Sequence, residues 1–323
     1  MRNKRFKQAF FFGLILFSML FVLHFVLQFG IKSIRIDQIG KINAIAANDI
    51  DPEIAIFGSS VSEVGISPEE LQKSTGLSCF NFSLNGTSFY QYRGLIDEFT
   101  TYSKVNKVVV FAEAYFSFSK RDALMAPDHY LAQLSNDRIR LPLEQIDPDL
   151  ILKTRYIPFY RFIAASHIYY KYAAKGIINK LKGTKDQPIL NGFAPVDRSW
   201  EADADQAIKQ AGKFDIEIDR SVLKLYIQQI KRIQNKGVKV LIILTPIYKK
   251  ALAKATSLKP LYAAMNEISQ KTGAKFLDFS NSELTEQKTM FYNSNHLNIK
   301  GALLFSKQLG DSIRQLNMNW GIN

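Results

Sequence analysis

One cysteine stands in 323 residues, so the chain closes no disulfide within itself. That residue, Cys79, lies in the apolar run Leu77 to Phe80 and reads as a small buried hydrophobe. Histidine is almost as scarce. His24, His129, His167 and His296 are the full set, and none is spaced from another histidine or from the cysteine as metal ligands are. That argues against a zinc site, and no metal or diffusible cofactor is implied. Acidic residues are outnumbered, 29 Asp and Glu against 42 Lys and Arg, for a net charge of +13. Such an excess suits an anionic partner, a bilayer surface ahead of an acidic glycan, with nucleic acid ranked last and not expected. Internal repeats and low-complexity tracts are missing. With 47% hydrophobic and 12% aromatic residues the chain holds enough apolar material for a large core, which excludes a disordered protein.

Charge vanishes altogether between Ala9 and Leu27, nineteen residues reading AFFFGLILFSMLFVLHFVL. As a helix this run spans about 28 Å, close to the ~30 Å of a bilayer's hydrocarbon core. A secretory signal has a shorter apolar stretch and a nearby small-residue cleavage site, whereas the first such pattern here is Ala44-Ile45-Ala46. The segment therefore predicts an uncleaved anchor, a transmembrane helix over 9–30 after a cytoplasmic tail of residues 1–8. Arg2, Lys4, Arg5 and Lys7 precede it, while Asp37 and Asp49 dilute the basic residues that follow. The positive-inside rule then places the N-terminus in the cytoplasm and the main domain periplasmic or otherwise extracytoplasmic, in a single-pass inner (cytoplasmic) membrane protein. His24, inside the span, reads as a neutral histidine near the outer interface.

Residues 31–50 read as a polar, unpatterned connector to a domain over 51–323. There, short apolar runs alternate with helical patterns. Strands are expected at Glu53–Phe57, Ser78–Phe82, Lys107–Phe111, Lys239–Leu244 and Lys275–Phe279. Helices are expected at Ser88–Ser103, Val222–Lys236, Leu258–Thr272 and Ile299–Leu316, with a further helix start at Ser67-Pro68, where a capping serine precedes a proline and two acids. Strands that alternate with helices, and that are apolar throughout like VVVF and VLIIL, predict an α/β fold with a doubly wound, mostly parallel sheet. A stretch at about 118–215 interrupts this rhythm as a helical insertion. Within it, Ile151 to Lys185 carries eight Lys and Arg, no acid, and interleaved aromatics. Two readings stay open: a cap over the active site that leans on an anionic bilayer, or an ordinary insertion with a solvated basic face.

Open α/β sheets bind ligands beyond the carboxyl ends of their strands. The first strand delivers Gly58-Ser59-Ser60, the second delivers Asn81 to Ser88, and the loop after the fifth delivers Phe291 to Asn298. A serine at a strand-to-turn junction is exposed and rigidly held, and histidine is the usual base that activates it. A glycine in a tight loop, Gly86, can aim a backbone N–H at a developing oxyanion. The sequons at Asn81 and Asn85 fall inside this candidate site and read as coincidence. His129 and His167 fall in the insertion, where a surface or interface role is expected, and Asp147-Pro148-Asp149 reads as a turn or helix start rather than a carboxylate dyad.

The three blocks together resemble the SGNH (GDSL-like) hydrolase superfamily over nearly the whole chain after the apolar run. Ile56 to Pro68 (IFGSSVSEVGISP) is similar to its first motif, Asn81 to Ser88 to its second, and Phe291 to Ala302 (FYNSNHLNIKGA) to its last. The similarity is closest to the membrane-anchored branch that includes the D-alanine transfer protein of teichoic acid synthesis and alginate acetylation proteins. The resemblance implies a flavodoxin-like three-layer sandwich, with Ser60 as nucleophile, His296 as base, and the amides of Ser60 and Gly86 as the oxyanion hole. It implies acyl-ester chemistry on a cell-envelope glycan or polysaccharide, by an esterase or O-acyltransferase, with a polytopic membrane O-acyltransferase as a possible partner. Two positions depart from the pattern. Asn293 stands where the triad acid is expected, with Asp278 as a substitute candidate. Glu113 stands where an oxyanion-hole asparagine is expected, which would bring a carboxylate to the strand end; with Asn85 and Asn295 it is a candidate substrate contact. These departures motivate an alternative, a catalytically weakened domain that binds or scaffolds glycan in an envelope polysaccharide machine.

Overall fold

The computed structural model describes residues 2–165, 168–184, 186 and 189–320; His167 lies outside them. The five apolar runs form five strands, β1 (Ile54–Gly58), β2 (Cys79–Asn81), β3 (Val108–Glu113), β4 (Lys239–Leu244) and β5 (Lys275–Asp278). They make one parallel sheet in the order β2-β1-β3-β4-β5. β1 lies inside the sheet, with Ile54 paired to Cys79 on one side and to Val108 on the other. Burial of both faces is why these strands read as continuous apolar runs.

Fourteen helices accompany the strands in the described residues. Before the sheet come α1 (Arg2–Ser33) and α2 (Asp37–Ala46). Between strands lie α3 (Ser60–Gly65), α4 (Pro68–Thr75) and α5 (Phe89–Tyr102). The stretch after β3 contributes α6 (Asp137–Glu144), α7 (Pro148–Tyr156), α8 (Tyr160–Ala164), α9 (Ile168–Leu181) and α10 (Ala204–Gln210). The chain then continues through α11 (Arg220–Gln234), α12 (Lys249–Leu252), α13 (Lys259–Thr272) and α14 (Ile299–Trp320). One sheet face, carrying Phe57, Phe111 and Ile242, packs on α5, α11 and α13 through Phe99, Tyr226 and Met265. The other, carrying Ile56, Val110 and Ile243, packs on α4 and α14 through Leu71, Phe305 and Leu309. The fold is a doubly wound α/β sandwich. Cys79 is buried in β2, where burial pushes its thiol up to about 12.

Local signals act as expected at several helix starts. Ser67 caps α4 by accepting from the Glu70 amide, and Asp147 caps α7 by accepting from Leu150 N at 3.0 Å, which settles the Asp147-Pro148-Asp149 stretch as a helix start. The residues expected as an unpatterned connector are instead ordered. Residues 37–46 form α2, whose Ile39, Ile42 and Ile45 are buried at a three-residue spacing against the first sheet-face core. Asn43 of this helix donates its amide to the carbonyls of Ile31 (2.8 Å) and Ile34 (3.1 Å), satisfying buried carbonyls at the C-terminal end of α1.

The stretch between β3 and α11 is helical, as expected of an insertion, and it shares its core with the sheet domain through Tyr130, Leu143 and Phe162. α9 lies along α1, where Gly30 and Gly176 bring the backbones into contact: a Cβ on Gly176 would stand 1.9 Å from the Gly30 carbonyl oxygen. α1 is a single N-terminal helix long and apolar enough over Lys4–Ser33 to cross a membrane.

Candidate active site

Gly58 ends β1 where its neighbours leave no room for a side chain, since a Cβ there would meet the Ala112 carbonyl oxygen at 2.5 Å and Ser62 Cβ at 2.8 Å. The chain turns at once into α3, which puts Ser60 at its first residue, half-buried at the carboxyl rim of the sheet. His296 comes from the loop after β5, 236 residues later, and its Nε2 lies 2.9 Å from Ser60 Oγ. Its Nδ1 lies 2.9 Å from Asn293 Oδ1. The structure therefore brings together the three residues expected to act as one unit.

The asparagine is held in a way that decides the imidazole tautomer. Asn293 Oδ1 accepts from the backbone N–H groups of Asn295 (3.1 Å) and His296 (3.0 Å). Two donors aimed at this atom identify it as the carbonyl oxygen, which has no proton to give. His296 must then carry its proton on Nδ1 and donate it to Asn293. That leaves a lone pair on Nε2 facing the Ser60 hydroxyl, the arrangement a general base needs. In a serine protease the same replacement costs about 10⁴ in turnover through the wrong tautomer; here the two backbone donors prevent that failure. What remains missing is charge. Burial without a neighbouring carboxylate pushes the His296 pKa down to about 4. The Tyr292 ring stacks on the imidazole at 5.5 Å and 14° and holds its plane.

Asp278 does not substitute for the triad acid. Its carboxylate accepts from the Tyr262 hydroxyl at 2.8 Å and from the Ser280 amide at 2.8 Å, and this local turn uses it up. Glu113 also departs from expectation. It is 1% exposed and receives the Tyr92 hydroxyl at 3.3 Å. Burial pushes its carboxyl pKa up, which keeps it protonated more readily than a surface glutamate and fits a structural role under α5 and α11 rather than a substrate contact. Asn295 is half-buried beside the Tyr115 hydroxyl.

The second block forms a loop braced from both sides. Asn81, fully buried, donates to the carbonyls of Ser62 (2.9 Å) and Ile66 (3.0 Å) and accepts from Ser83 N (3.0 Å). Its sequon is thus a coincidence, because a buried amide with three partners is closed to a glycan. Ser83 Oγ meets Ser62 Oγ at 2.8 Å. Gly86 adopts φ +63° at the loop tip, a conformation that favours glycine, and Asn85 beside it is exposed.

Three residues to which the sequence reading gave no role at the site, Lys41, Gln38 and Glu63, complete the arrangement. Lys41 of α2, 5% exposed, donates to Glu63 Oε1 at 2.9 Å and to the Ser83 carbonyl at 2.7 Å. Gln38 donates to Glu63 Oε2 at 3.2 Å and accepts from Asn85 N at 2.9 Å. α2 thereby ties the helix that carries Ser60 to the loop that carries Gly86. Beside this junction lies a cavity of about 630 Å³ whose walls include Gln38, Asn85, Asp128, Tyr172, Phe193 and Tyr292. Tyr292 belongs to both features, since one ring stacks on His296 and lines the cavity. His129, expected at a surface or interface, also lines this cavity and is half-buried.

No family model matches this chain, and no curated protein sequence does. Among solved structures, it is similar to one from Streptococcus pneumonia provisionally described as a platelet activating factor, with 13% identity, 85% of this chain and 90% of that one covered, and a TM-score of 0.41. It is also similar to a provisionally described acylhydrolase from Bacteroides fragilis NCTC 9343, with 8% identity, 84% and 92% covered, and a TM-score of 0.38.

Proposed function

We propose that this chain is a membrane-anchored serine esterase or O-acyltransferase acting on acyl esters of a cell-envelope glycan or polysaccharide. The observation that carries this reading is the continuous chain of contacts from Ser60 Oγ through His296 to the Asn293 carbonyl, both links at 2.9 Å. In the reaction, Ser60 Oγ attacks the acyl carbonyl carbon while His296 Nε2 takes the hydroxyl proton. The carbonyl oxygen becomes an oxyanion, to which the backbone N–H groups of Ser60 and Gly86 are assigned as donors. Collapse breaks the bond to the leaving alcohol, which receives the proton from His296, and the acyl group remains on Ser60. A water or glycan hydroxyl then gives its proton to Nε2, attacks the acyl-enzyme, and releases the acid or new ester with Ser60 restored. A polytopic membrane O-acyltransferase is the partner that would supply acyl groups for the transfer version. The cavity beside Tyr292, with amide, carboxylate and tyrosine groups in its wall, is the place assigned to the glycan.

A fluorophosphonate probe tests the nucleophile directly. The full-length protein is expected to be labelled and Ser60→Ala to be spared; absence of labelling in the folded wild type would overturn the assignment. The low His296 pKa favours a second reading, a weakened domain that binds or scaffolds envelope glycan. That reading requires Ser60→Ala to retain full function in cells and deletion of Ala9–Leu27 to abolish it.

A further inference from the structure

The helical insertion makes contact with α1 at a depth that no aqueous surface would explain. His24 lies three residues inside the apolar run that ends at Leu27, about 5 Å along the helix axis. There its Nδ1 accepts from the Phe159 backbone N–H at 3.1 Å, and its ring meets Phe159 edge-on at 5.3 Å and Phe162 at 6.5 Å. The segment between α7 and α8 therefore reaches down to the level of the membrane helix itself. The apolar side chains around it point outward: Tyr156 is 67% exposed, Ile157 48% and Ile163 73%.

α9 reaches the same level from another direction. It begins beside the 630 Å³ cavity, where Tyr172 lines the wall and bonds to Asp37, and it runs antiparallel to α1 past Gly30. Its last turn ends at Ile178 (48% exposed) and Leu181 (83% exposed), and Ile177 and Leu181 share an open apolar groove with Phe21, Phe25 and Phe29 of α1. Ile151 to Leu181 carries Lys153, Arg155, Arg161, Lys171, Lys175 and Lys180 and no acid of its own. Lys153 and Lys175 do meet carboxylates just outside it, Asp149 and Asp186.

We infer that α7, α8 and the end of α9 form a collar seated in the lipid bilayer around the outer turns of α1, with acidic phospholipid headgroups as its partners. Continuity selects this occupant. The exposed apolar side chains adjoin the stretch of α1 that is itself lipid-facing, so a boundary between water and lipid passes through the collar. Charge complementarity agrees through the exposed Arg155, Lys171 and Lys180, whose apolar stems reach toward the headgroup level while their neighbours stay in the acyl region; Arg161 is instead buried on the Leu131 and Thr154 carbonyls. The consequence is a fixed height for the site. From Leu181 back to Tyr172 is nine helical residues, about 14 Å. The cavity opens that close to the bilayer, within reach of a substrate or acyl donor held at the membrane.

The test uses the full-length chain reconstituted in phosphatidylcholine vesicles, with or without a minority of phosphatidylglycerol. An environment-sensitive fluorophore is placed on single cysteines at Ile163→Cys, Leu181→Cys and, as a control on the opposite sheet face, Leu303→Cys; all three positions are exposed, and native Cys79 is buried. Brominated acyl chains are expected to quench the first two labels several-fold more than the third, and phosphatidylglycerol to deepen the effect. Equal response at all three positions would overturn the collar. Labels that ignore brominated lipid but quench one another would assign the face to a second copy of the chain, and would overturn it as well.

Discussion

Asn293 does half the work of a triad carboxylate. It fixes the ring and the tautomer of His296 through an oxygen already pinned by two backbone amides, but it offers the imidazolium no opposite charge. Asn293→Asp is therefore expected to raise the His296 pKa from about 4 toward or above its ordinary value near 6.5. The rate of Ser60 labelling by fluorophosphonate at neutral pH should rise, by less than the ~10⁴-fold of the serine-protease replacement because the tautomer is already correct. Its low-pH limb should move upward with the new pKa, which a pH series of labelling rates measures. The sign for stability follows from the same shift. In the wild type the folded-state pKa is depressed, so the unfolded chain binds the proton more readily. His296 then contributes stability that is present above about 6.5 and lost as pH falls through about 4. Unchanged labelling in Asn293→Asp would mean that proton transfer is not assisted by this histidine.

At the scale of elements, α2 is the brace between the helix that carries Ser60 and the loop that carries Gly86. Lys41 joins Glu63 of α3 to the Ser83 carbonyl, and both side chains of the ion pair are 6% exposed. Burial lowers the Lys41 pKa, while Glu63 opposes that shift. Removing the cation strands a carboxylate out of water, so Lys41→Met is expected to cost about 3–5 kcal/mol, and pairing it with Glu63→Gln to recover part of that loss. Thermal denaturation of the three variants measures this, and the labelling rate per folded molecule should fall in Lys41→Met because Ser83 loses its anchor. Equal stability of wild type and Lys41→Met would remove α2 from the architecture of the site. This brace was only partly legible in the sequence. The isoleucines at 39, 42 and 45 carry a helical period that a polar-looking connector concealed. The strands, by contrast, were plain, because a parallel sheet buried on both faces needs uninterrupted apolar runs such as Lys239–Leu244. Ser60 and His296 were legible from the blocks that hold them. The rotation of the Asn293 amide and the inward turn of Glu113 were not, since each depends on neighbours that only the folded chain supplies.

At the scale of the whole molecule, the long apolar helix α1 meets α9 at a crossing, and glycine is what lets them meet. Small residues at a helix crossing allow backbones to approach closely enough for dispersion to hold them. With a Cβ on Gly176 only 1.9 Å from the Gly30 carbonyl oxygen, no rotamer relieves the clash and the helices must separate. Gly176→Leu is thus expected to lower the midpoint of thermal unfolding of the full-length protein by several degrees, on the scale of ~2–4 °C per kcal/mol for a domain of this size. Neither Ser60 nor His296 is among the atoms that Gly30 and Gly176 would meet, so molecules that remain folded should still accept the fluorophosphonate probe. In vesicles, the same variant should weaken brominated-lipid quenching at a Leu181→Cys label, because α9 loses the partner that directs its tip toward the bilayer. A Gly176→Leu protein as stable as the wild type, with quenching at Leu181→Cys intact, would show that the seat of the insertion in the membrane does not depend on its grip on α1.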